Sequence, residues 1–160
     1  MATDFFLKID GIPGEATATH GKGQIDVHSM TFGVSQPAAI GRTGSGLSTG
    51  KASFGDIHFT KFTDKSSAML YQVAGTGRHI PTAIFTGFKG TDTPTLYFTV
   101  TLSDVLITSF QNSGAGGSEM TEQISFGYSK IEFEYKEINA QGGVAGTNRA
   151  GFNVREGGKV

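Results

Sequence analysis

The chain has 160 residues and a formal net charge of -1, with 13 Lys and Arg against 14 Asp and Glu. This balance gives no electrostatic reason to expect nucleic acid or an anionic membrane surface as a partner. The absence of Cys excludes disulfides and thiolate metal sites. The length is typical of one domain, so we expect a single domain over residues 1–160, in which Phe is the main core residue because Trp is absent.

The first ten residues, MATDFFLKID, have neither a basic start nor an apolar run of the length found in secretory signals. The longest apolar stretches elsewhere are too short to span a bilayer. We therefore expect no membrane insertion, and a protein that leaves the cell, if it does so, without a cleaved signal peptide.

Two strands are predicted near the N-terminus, over residues 4–10 and residues 24–34, because both segments alternate between apolar and polar positions. In the first strand one face is apolar, with Phe5, Leu7 and Ile9. In the second strand the two faces differ in size. The larger side chains are His28, Met30, Phe32 and Val34, of which we expect Met30, Phe32 and Val34 in the core, with His28 packed or facing a channel. The opposite face has small uncharged side chains, Val27, Ser29 and Thr31.

A long segment without periodicity follows, residues 35–51, which reads SQPAAIGRTGSGLSTGK. Loops of this length are uncommon in compact domains and are usually functional or disordered. Ile40 and Leu47 have no obvious place in the core of their own chain, and Arg42 and Lys51 could pair with carboxylates on another copy. We expect this segment to contact neighbouring subunits, with simple disorder as the alternative.

One helix is predicted within residues 59–80, which read FTKFTDKSSAMLYQVAGTGRHI. Asp64 is the expected N-cap, because its carboxylate can accept hydrogen bonds from the free N–H groups of the first turn. Met69, Leu70 and Val73 follow at helical spacing and are expected to form one apolar face. Two Gly residues then end the helix, since Gly tolerates the left-handed conformation of a C-cap.

A strand is predicted over residues 52–62, before the helix, and further strands over residues 79–89, 95–103 and 105–111. Residues 119–137 form the longest β segment, and its alternation changes phase near Ser129. The apolar positions are Ile124, Phe126 and Tyr128 before the change, and Ile131, Phe133 and Tyr135 after it. A bulge or bend near Ser129 would carry the strand from one face to another, as at a barrel corner.

The C-terminal segment, residues 139–160, is polar and Gly-rich and is expected to be a tail, with one short strand possible at residues 151–155. About eight strands and one helix, spaced by turns, predict a mainly β fold. The expected architecture is a closed or nearly closed antiparallel β-barrel with one flanking α-helix.

No motif in the chain supports catalysis or a bound cofactor. Residues 45–52, SGLSTGKA, lack the first Gly and the final Ser or Thr of a phosphate-binding loop. The four His residues have no metal-binding spacing, and no GxSxG nucleophile elbow is present. Glu132 and Glu134 alternate along one strand and are interpreted as a solvated face. We therefore expect no enzyme, no cofactor and no metal, and a long segment that contacts a partner.

Several segments together resemble the Hcp family, the hemolysin-coregulated proteins of bacterial type VI secretion. Their order and spacing cover nearly the whole chain, although no single motif is diagnostic. The segments are DFFLKIDGIPGE (4–15), IDVHSMTFGVSQ (25–36), FTKFTDKSS (59–67), TGRHI (76–80), LSDVLITS (102–109), KIEFEY (130–135) and GFNVR (151–155). Within FTKFTDKSS, the signature positions are Phe59, Thr60, Lys61, Asp64 and Lys65.

The resemblance implies a barrel of two β-sheets with a helix at its side. It also implies a homohexameric ring that stacks into the inner tube of the secretion apparatus, inside a sheath and behind a spike protein, with small effector proteins in its lumen. The protein would be assembled in the bacterial cytoplasm and secreted through the apparatus. A phage or phage-like tail-tube protein, which shares this architecture, is the alternative. An enzymatic variant with a C-terminal effector domain is a third possibility, but the residues after Ile138 are too few for a domain.

For such a ring, the face with Val27, Ser29 and Thr31 is the expected lumen lining. These positions hold no charged side chain, whereas an ordinary solvent face usually has some. Small neutral side chains suit a channel wall that passes varied cargo. A subunit–subunit interface is the alternative, because interfaces are also depleted of charge.

Overall fold

The structure of the protein is a computed structural model that describes residues 3–40, 47–49, 51–90 and 92–160. The first strands are β1 (Thr3–Ile9), β2 (Ile25–Val27), β3 (Ser29–Thr31), β4 (Val34–Ser35), β5 (Ala38–Ile40), β6 (Leu47–Thr49), β7 (Ser53–Phe54) and β8 (Ile57–Phe62). The helix α1 (Ser67–Thr76) follows, and a 3-10 turn (Thr19–Gly21) lies before β2. The remaining strands are β9 (Ile80–Lys89), β10 (Thr95–Ser113), β11 (Thr121–Gly127), β12 (Lys130–Ile138), β13 (Val144–Asn153) and β14 (Gly158–Lys159). The predicted mainly β class is confirmed.

Ten of the described strands form two antiparallel sheets that share β10, and β4 pairs with β7 in a short separate sheet. The first sheet has the order β2-β1-β9-β10-β12-β13-β14, and the second has the order β3-β8-β11-β10. Among the described residues, no strand pairing joins β2 to β3, so hydrogen bonds between strands do not close the barrel. Its two open ends, β2 and β3, are separated only by His28 and are therefore joined by the chain itself.

The strand β10 serves both sheets because it turns at Asp104. Residues 95–105 pair with β9, residues 98–103 pair with β12, and residues 106–113 pair with β11. Asp104 has φ 53°, the only positive φ of a non-Gly residue among those described. The two strands predicted over residues 95–103 and 105–111 are therefore one bent strand, because the change of sheet occurs at a single residue.

The predicted phase change near Ser129 is confirmed as a second crossing point. Before it β11 pairs in the second sheet, and after it β12 pairs in the first sheet. The backbone N–H of Ser129 donates to the carbonyl of Ser103 at 3.1 Å. This hydrogen bond ties the crossing of β11 and β12 to the neighbouring bend of β10.

The second predicted strand crosses between the sheets at His28, and this changes the assignment of its faces. Val27 is 7% exposed and belongs to the core, whereas His28 is exposed. Ser29 and Thr31 point outward from the second sheet, while Met30 packs against the core. The prediction that Val27 shares a face with Ser29 and Thr31 is therefore wrong, because the crossing resets the alternation.

Phe side chains fill the space between the sheets, as the composition predicted. Phe59 lies edge-on to Phe85 and Phe126, with ring centroids 5.3 and 5.0 Å apart. On β1, Leu7 and Ile9 are buried in this core, and Phe5 packs against it. Two further positions predicted in the core differ in outcome. Phe32 is half-buried and packs against the core, but Val34 is 59% exposed, so the prediction is wrong for Val34.

Phe6 lies on the opposite face of β1 and is nevertheless buried, because the segment before β2 covers it. Its ring is 5.2 Å from the ring of His20. A Cβ at Gly21 would lie 2.6 Å from atoms of the Phe6 ring. Only Gly at this position lets the backbone approach the ring so closely.

The helix α1 packs against β10, and its buried side chains include Leu70 and Val73. Met69 was predicted on the same face, but it is 41% exposed, because one residue is a rotation of about 100° around the helix. The N-cap position is Ser66, so Asp64 lies two residues before it. Asp64 still accepts the backbone N–H of Ser66 at 2.9 Å. Gly77 ends the helix with φ 69°.

Two segments predicted as loop and tail contain strands. Within residues 35–51, β5 and β6 pair as a hairpin, in which Ile40 lies opposite Leu47.

The tail prediction is wrong, because β13 pairs along the length of β12 and β14 pairs with β13. The sequence of β13 shows no apolar alternation, because the strand lies next to the edge of the sheet and its side chains are mostly exposed.

Candidate functional site

The outer side of the second sheet presents a surface of hydroxyl, amide and imidazole groups, which we call the polar face. Cross-strand pairing arranges it in two rows of four residues. One row is Ser29, Thr60, Gln123 and Gln111, and the other is Thr31, His58, Ser125 and Ser109. None of these eight positions holds Asp, Glu, Lys or Arg.

The polar face follows from period-two alternation in four neighbouring strands. In β8, Ile57 and Phe59 are buried, so His58 and Thr60 point outward. In β11, Ile124 is buried and Gln123 is exposed. Because the strands pair in register, outward positions of one strand lie beside outward positions of the next.

Hydroxyl groups of the polar face bond to one another. The Ser29 and Thr60 hydroxyls form a hydrogen bond, and those of Ser109 and Ser125 are 2.6 Å apart. At one end of the face, Thr108 donates to Asp56 at 2.7 Å. These bonds hold short side chains flat against the sheet and leave a shallow depression of about 170 Å³ between the rows.

Behind the polar face lies a buried ion cluster. Lys61 points inward from β8 and is 1% exposed, and its Nζ lies 2.9 Å from Glu122 and 3.0 Å from Asp64. Ser67 of α1 accepts a hydrogen bond from Lys61 at 3.1 Å. Asn112 of β10 donates to Glu122 at 3.2 Å. The cluster therefore links the second sheet to the first turn of the helix.

An acidic groove of about 480 Å³ lies beside the exposed Phe62, at the end of β8. Its carboxylates are those of Glu15, Asp26, Asp64 and Glu119. Partial burial raises the pKa of Asp26, and the negative charges of Asp4 and Asp64 raise it further. This groove places negative charge next to the uncharged polar face.

An apolar cleft of about 250 Å³ lies between the base of the hairpin, where β4 pairs with β7, and β12–β13. Phe54 stacks on Phe152 with centroids 4.4 Å apart, and Phe32 lies 5.6 Å from Phe133. The cleft thus places the base of the hairpin against the first sheet.

A polar cluster marks the bend of β10. The Asp104 carboxylate lies 2.8 Å from Nδ1 of His79 and accepts the Ser129 hydroxyl at 3.3 Å. The hydrogen bond from His79 is the main cause that lowers the pKa of Asp104. His79 does not contact Ser129 in this cluster, because Asp104 lies between them, so the order is not that of a Ser–His–Asp triad.

The predicted site residues are distributed over different surfaces. Ser29 and Thr31 lie on the polar face, and Val27 lies in the core. The signature residues also separate, because Phe59 is in the core, Thr60 is on the polar face, Lys61 and Asp64 form the ion cluster, and Lys65 is exposed. Of the predicted contact residues, Ile40 and Leu47 are paired in the hairpin and Lys51 is exposed, while Arg42 lies outside the described residues.

Sequence reasoning missed the larger part of the polar face, namely His58, Ser109, Gln111, Gln123 and Ser125. A signal was present, because in each strand the neutral polar residues keep the same period-two phase. The pairing that brings these strands together was not available from the sequence.

In the part of the chain that the structure describes, no group of three or more His, Cys, Asp or Glu side chains is placed to hold a metal ion. None of the helical segments described is long and apolar enough to cross a membrane.

Comparison with known proteins first gives the class of protein. The family model described as "Type VI secretion system effector, Hcp" matches residues 6–135. This match places the chain among the secreted structural proteins of type VI secretion. The chain belongs to the Hcp family.

Individual relatives agree with this assignment. Protein hcp1 of Pseudomonas aeruginosa strain PAO1 is 32% identical over 160 residues, which cover 98% of each chain. The crystal structure of Hcp1 from Salmonella typhimurium has a TM-score of 0.82 at 31% identity and covers 100% of both chains. A structure described as a type six secretion system protein has a TM-score of 0.94 at 26% identity, with 99% of this chain and 100% of that chain covered. The predicted family and the two-sheet fold are confirmed.

Proposed function

We propose that the chain is the structural subunit of the type VI inner tube, forming homohexameric rings that stack and carry small effector proteins in the lumen. The sheath and the spike protein are its further partners. It assembles in the bacterial cytoplasm and leaves through the apparatus. Membership in the Hcp family supports the role in type VI secretion.

The uncharged polar face is the observation that favours a lumen wall. Eight neighbouring outward positions without a formal charge are unusual for a solvent-exposed sheet, where charged residues normally alternate with buried ones. A subunit interface would instead favour large apolar and aromatic side chains in its centre. Short hydroxyl and amide groups offer hydrogen bonds to many surfaces and strong attraction to none, which suits transport of different cargoes.

The hairpin of β5 and β6 is the proposed contact with neighbouring subunits or stacked rings. It forms a two-stranded sheet separate from the two main sheets. Ile40 and Leu47 lie opposite each other in it, and Lys51 follows as an exposed cation. With Arg42, these residues offer an apolar pair and two positive charges to another copy.

Substitution of the polar face tests the proposal. Ser29→Gln and Thr31→Gln should leave the ring intact, because a lumen has room for a longer side chain, and should weaken cargo binding. Thr147→Gln on β13 is the matched control, since Thr147 is exposed on the other sheet. Light scattering and electron microscopy report ring formation, and co-purification of effectors reports cargo binding.

Loss of the ring in both Ser29→Gln and Thr31→Gln would reject the lumen and assign the polar face to an interface. A single 16.8 kDa species for the unmodified protein at micromolar concentration, without rings in micrographs, would contradict the ring itself.

A further inference from the structure

The two ends of the second sheet present different surfaces. The strand β8 begins at Ile57, three residues after Phe54 of the apolar cleft, and ends at Phe62 in the acidic groove. The strand β11 runs the other way, with Thr121 opposite Phe62 and Phe126 opposite Ile57. The cleft and the groove therefore lie at opposite ends of one sheet, separated by about 17 Å of strand at the usual rise per residue.

Two large apolar side chains are exposed at the groove end. Phe62 is 48% exposed and Met120 is 47% exposed. The backbone brings them together, because the N–H of Thr63 donates to the carbonyl of Met120 at 3.1 Å, and both side chains line the acidic groove. Large apolar groups gathered at one place on a surface, with polar groups around them, are typical of interaction sites. This end of the sheet is therefore suited to contact another molecule.

Most carboxylates around this apolar pair have no ion-pair partner. Asp64 pairs with the buried Lys61, whereas Glu15, Asp26 and Glu119 form no ion pair with another residue that the structure describes. Partial burial raises the pKa of Asp26, and neighbouring carboxylates raise it further, as expected where negative charges lie together. A positive charge from another molecule would reduce this repulsion.

The apolar cleft at the opposite end has the complementary shape and chemistry. Its volume is about 250 Å³, and its lining is almost wholly apolar, with Phe32, Val34, Phe54 and Phe152 among the lining residues. Val34 is 59% exposed, so the cleft is open to solvent. A cleft of this size and lining admits a large apolar side chain such as that of Phe or Met.

Positive charge accompanies the cleft. Residues 33–55, which include the hairpin and the strands at its base, contain Arg42 and Lys51 but no Asp or Glu. Lys51 is exposed and forms no ion pair with another described residue. Asp56 follows this segment, but its carboxylate already accepts the hydroxyl of Thr108 at 2.7 Å. The cleft end thus offers the charge that the groove end lacks.

We infer that copies of this chain join head to tail, with Phe62 and Met120 of one copy in the apolar cleft of the next copy, whose Lys51 pairs with carboxylates of the acidic groove. Burial of the apolar pair supplies affinity, and the opposite charges fix the orientation. Because the two surfaces differ, such a contact repeats until it closes into a ring or continues as a stack. The inference rests on the proposed function, since it names the surfaces through which tube subunits meet.

Cross-linking tests the contact directly, because the chain has no Cys of its own. Val34→Cys and Met120→Cys in one full-length chain place a thiol at each end of the second sheet, and a bismaleimide shorter than β8 cannot join them within one copy. We expect a ladder of covalently joined chains on a denaturing gel. A ladder that stops at six chains indicates contact within a ring, and a longer one indicates contact between stacked rings.

Val144→Cys combined with Met120→Cys is the matched control, because Val144 is a similarly exposed apolar residue, 50% exposed, on β13 of the other sheet. This pair should give no ladder. The absence of a ladder from Val34→Cys with Met120→Cys, or equal ladders from both pairs, would overturn the inference.

Sedimentation over a range of protein concentrations tests the chemistry of the contact. Phe62→Ser should weaken association roughly tenfold, since it removes the apolar group that becomes buried, whereas Met69→Ser on the exposed side of α1 should leave it unchanged. Lys51→Glu and Glu119→Lys should each weaken association by roughly two- to fivefold, as expected of exposed charges, and the two together should recover it. Unchanged association in Phe62→Ser, or no recovery in the combined charge variant, would contradict the contact.

Electron microscopy of the unmodified protein keeps this test separate from that of the proposed function. Rings or tubes in the micrographs, without the ladder from Val34→Cys and Met120→Cys, would overturn the inference and leave the tube subunit in place. The absence of rings and tubes at every concentration would contradict the proposed function itself.

Discussion

Lys61 shows how one inward-pointing charge is accommodated in a β core. It occupies a position of β8 that alternation reserves for apolar residues, directly opposite a residue of β11. Its cross-strand neighbour Glu122 is 0% exposed and supplies the opposite charge. Among the described residues, Lys61 is the cation that pairs with Glu122, whereas Lys61 also pairs with Asp64. The buried Glu122 charge therefore depends on Lys61.

Lys61→Met should therefore destabilise the protein by about 3–5 kcal/mol, because it leaves Glu122 buried and unpaired. Urea unfolding measures the loss. Lys61→Met combined with Glu122→Leu should recover most of it, since a buried ion pair replaced by apolar groups is often close to neutral. Equal losses in the single and double variants would show that the pairing is not what stabilises this site.

Asp104 combines a left-handed backbone with a hydrogen bond to His79. The pKa of Asp104 is lower in the folded protein than in the unfolded chain. The resulting stabilisation is fully present above the ordinary aspartate pKa of about 4 and is lost as the pH falls through the lowered value. Asp104→Asn, which tolerates positive φ, should reduce the acid sensitivity of the unfolding midpoint between about pH 5 and 2.

His79→Ala removes the other member of the pair and is the matched test. It should reduce the acid sensitivity in the same direction, because the hydrogen bond from His79 is the first cause of the lowered pKa. An unchanged pH profile in both variants would contradict a role for this pair in acid stability.

At the scale of elements, the helix shows how a one-residue difference decides burial. Leu70 is 0% exposed and Met69 is 41% exposed, although both are large and apolar. Helical spacing alone allowed either residue to face the core, and contact with β10 selected Leu70.

Leu70→Ala should destabilise the protein by about 2–5 kcal/mol, since it removes buried side-chain volume from the core. Met69→Ala on the neighbouring exposed position should change stability by less than about 1 kcal/mol. Chemical denaturation of both variants gives the comparison. Similar losses at the two positions would mean that both side chains pack in solution.

For the whole molecule, the hairpin is a two-stranded sheet separate from the two main sheets. In the part of the chain that the structure describes, β5 and β6 pair only with each other. We therefore expect the hairpin to stabilise contacts between copies rather than the fold.

Replacement of residues 38–49 by a short Gly linker should leave the unfolding midpoint nearly unchanged and weaken assembly. Sedimentation and electron microscopy would measure rings and stacks, and a secretion assay would measure export. A shortened protein that stacks and is secreted like the parent would reject a contact role for this segment.

The sequence alone determined the class of the fold and the phase of most strands. Ile124 and Phe126 alternate in one phase and Ile131 and Phe133 in the other, and the predicted change near Ser129 is where the chain changes sheets. Alternation is local, so it can be read without knowledge of any partner strand. The order of the family segments was sufficient to identify the Hcp family.

The tertiary structure alone decided where the chain crosses between sheets and which strands become neighbours. Val27 is in the core and Ser29 is outside because the strand crosses at His28, and nothing in the local pattern marks that residue. The polar face exists only because β3, β8, β11 and β10 pair in register. Pairing and register depend on contacts between residues far apart in the sequence. Local alternation therefore shows which side chains share a face of one strand, but not which strands become neighbours.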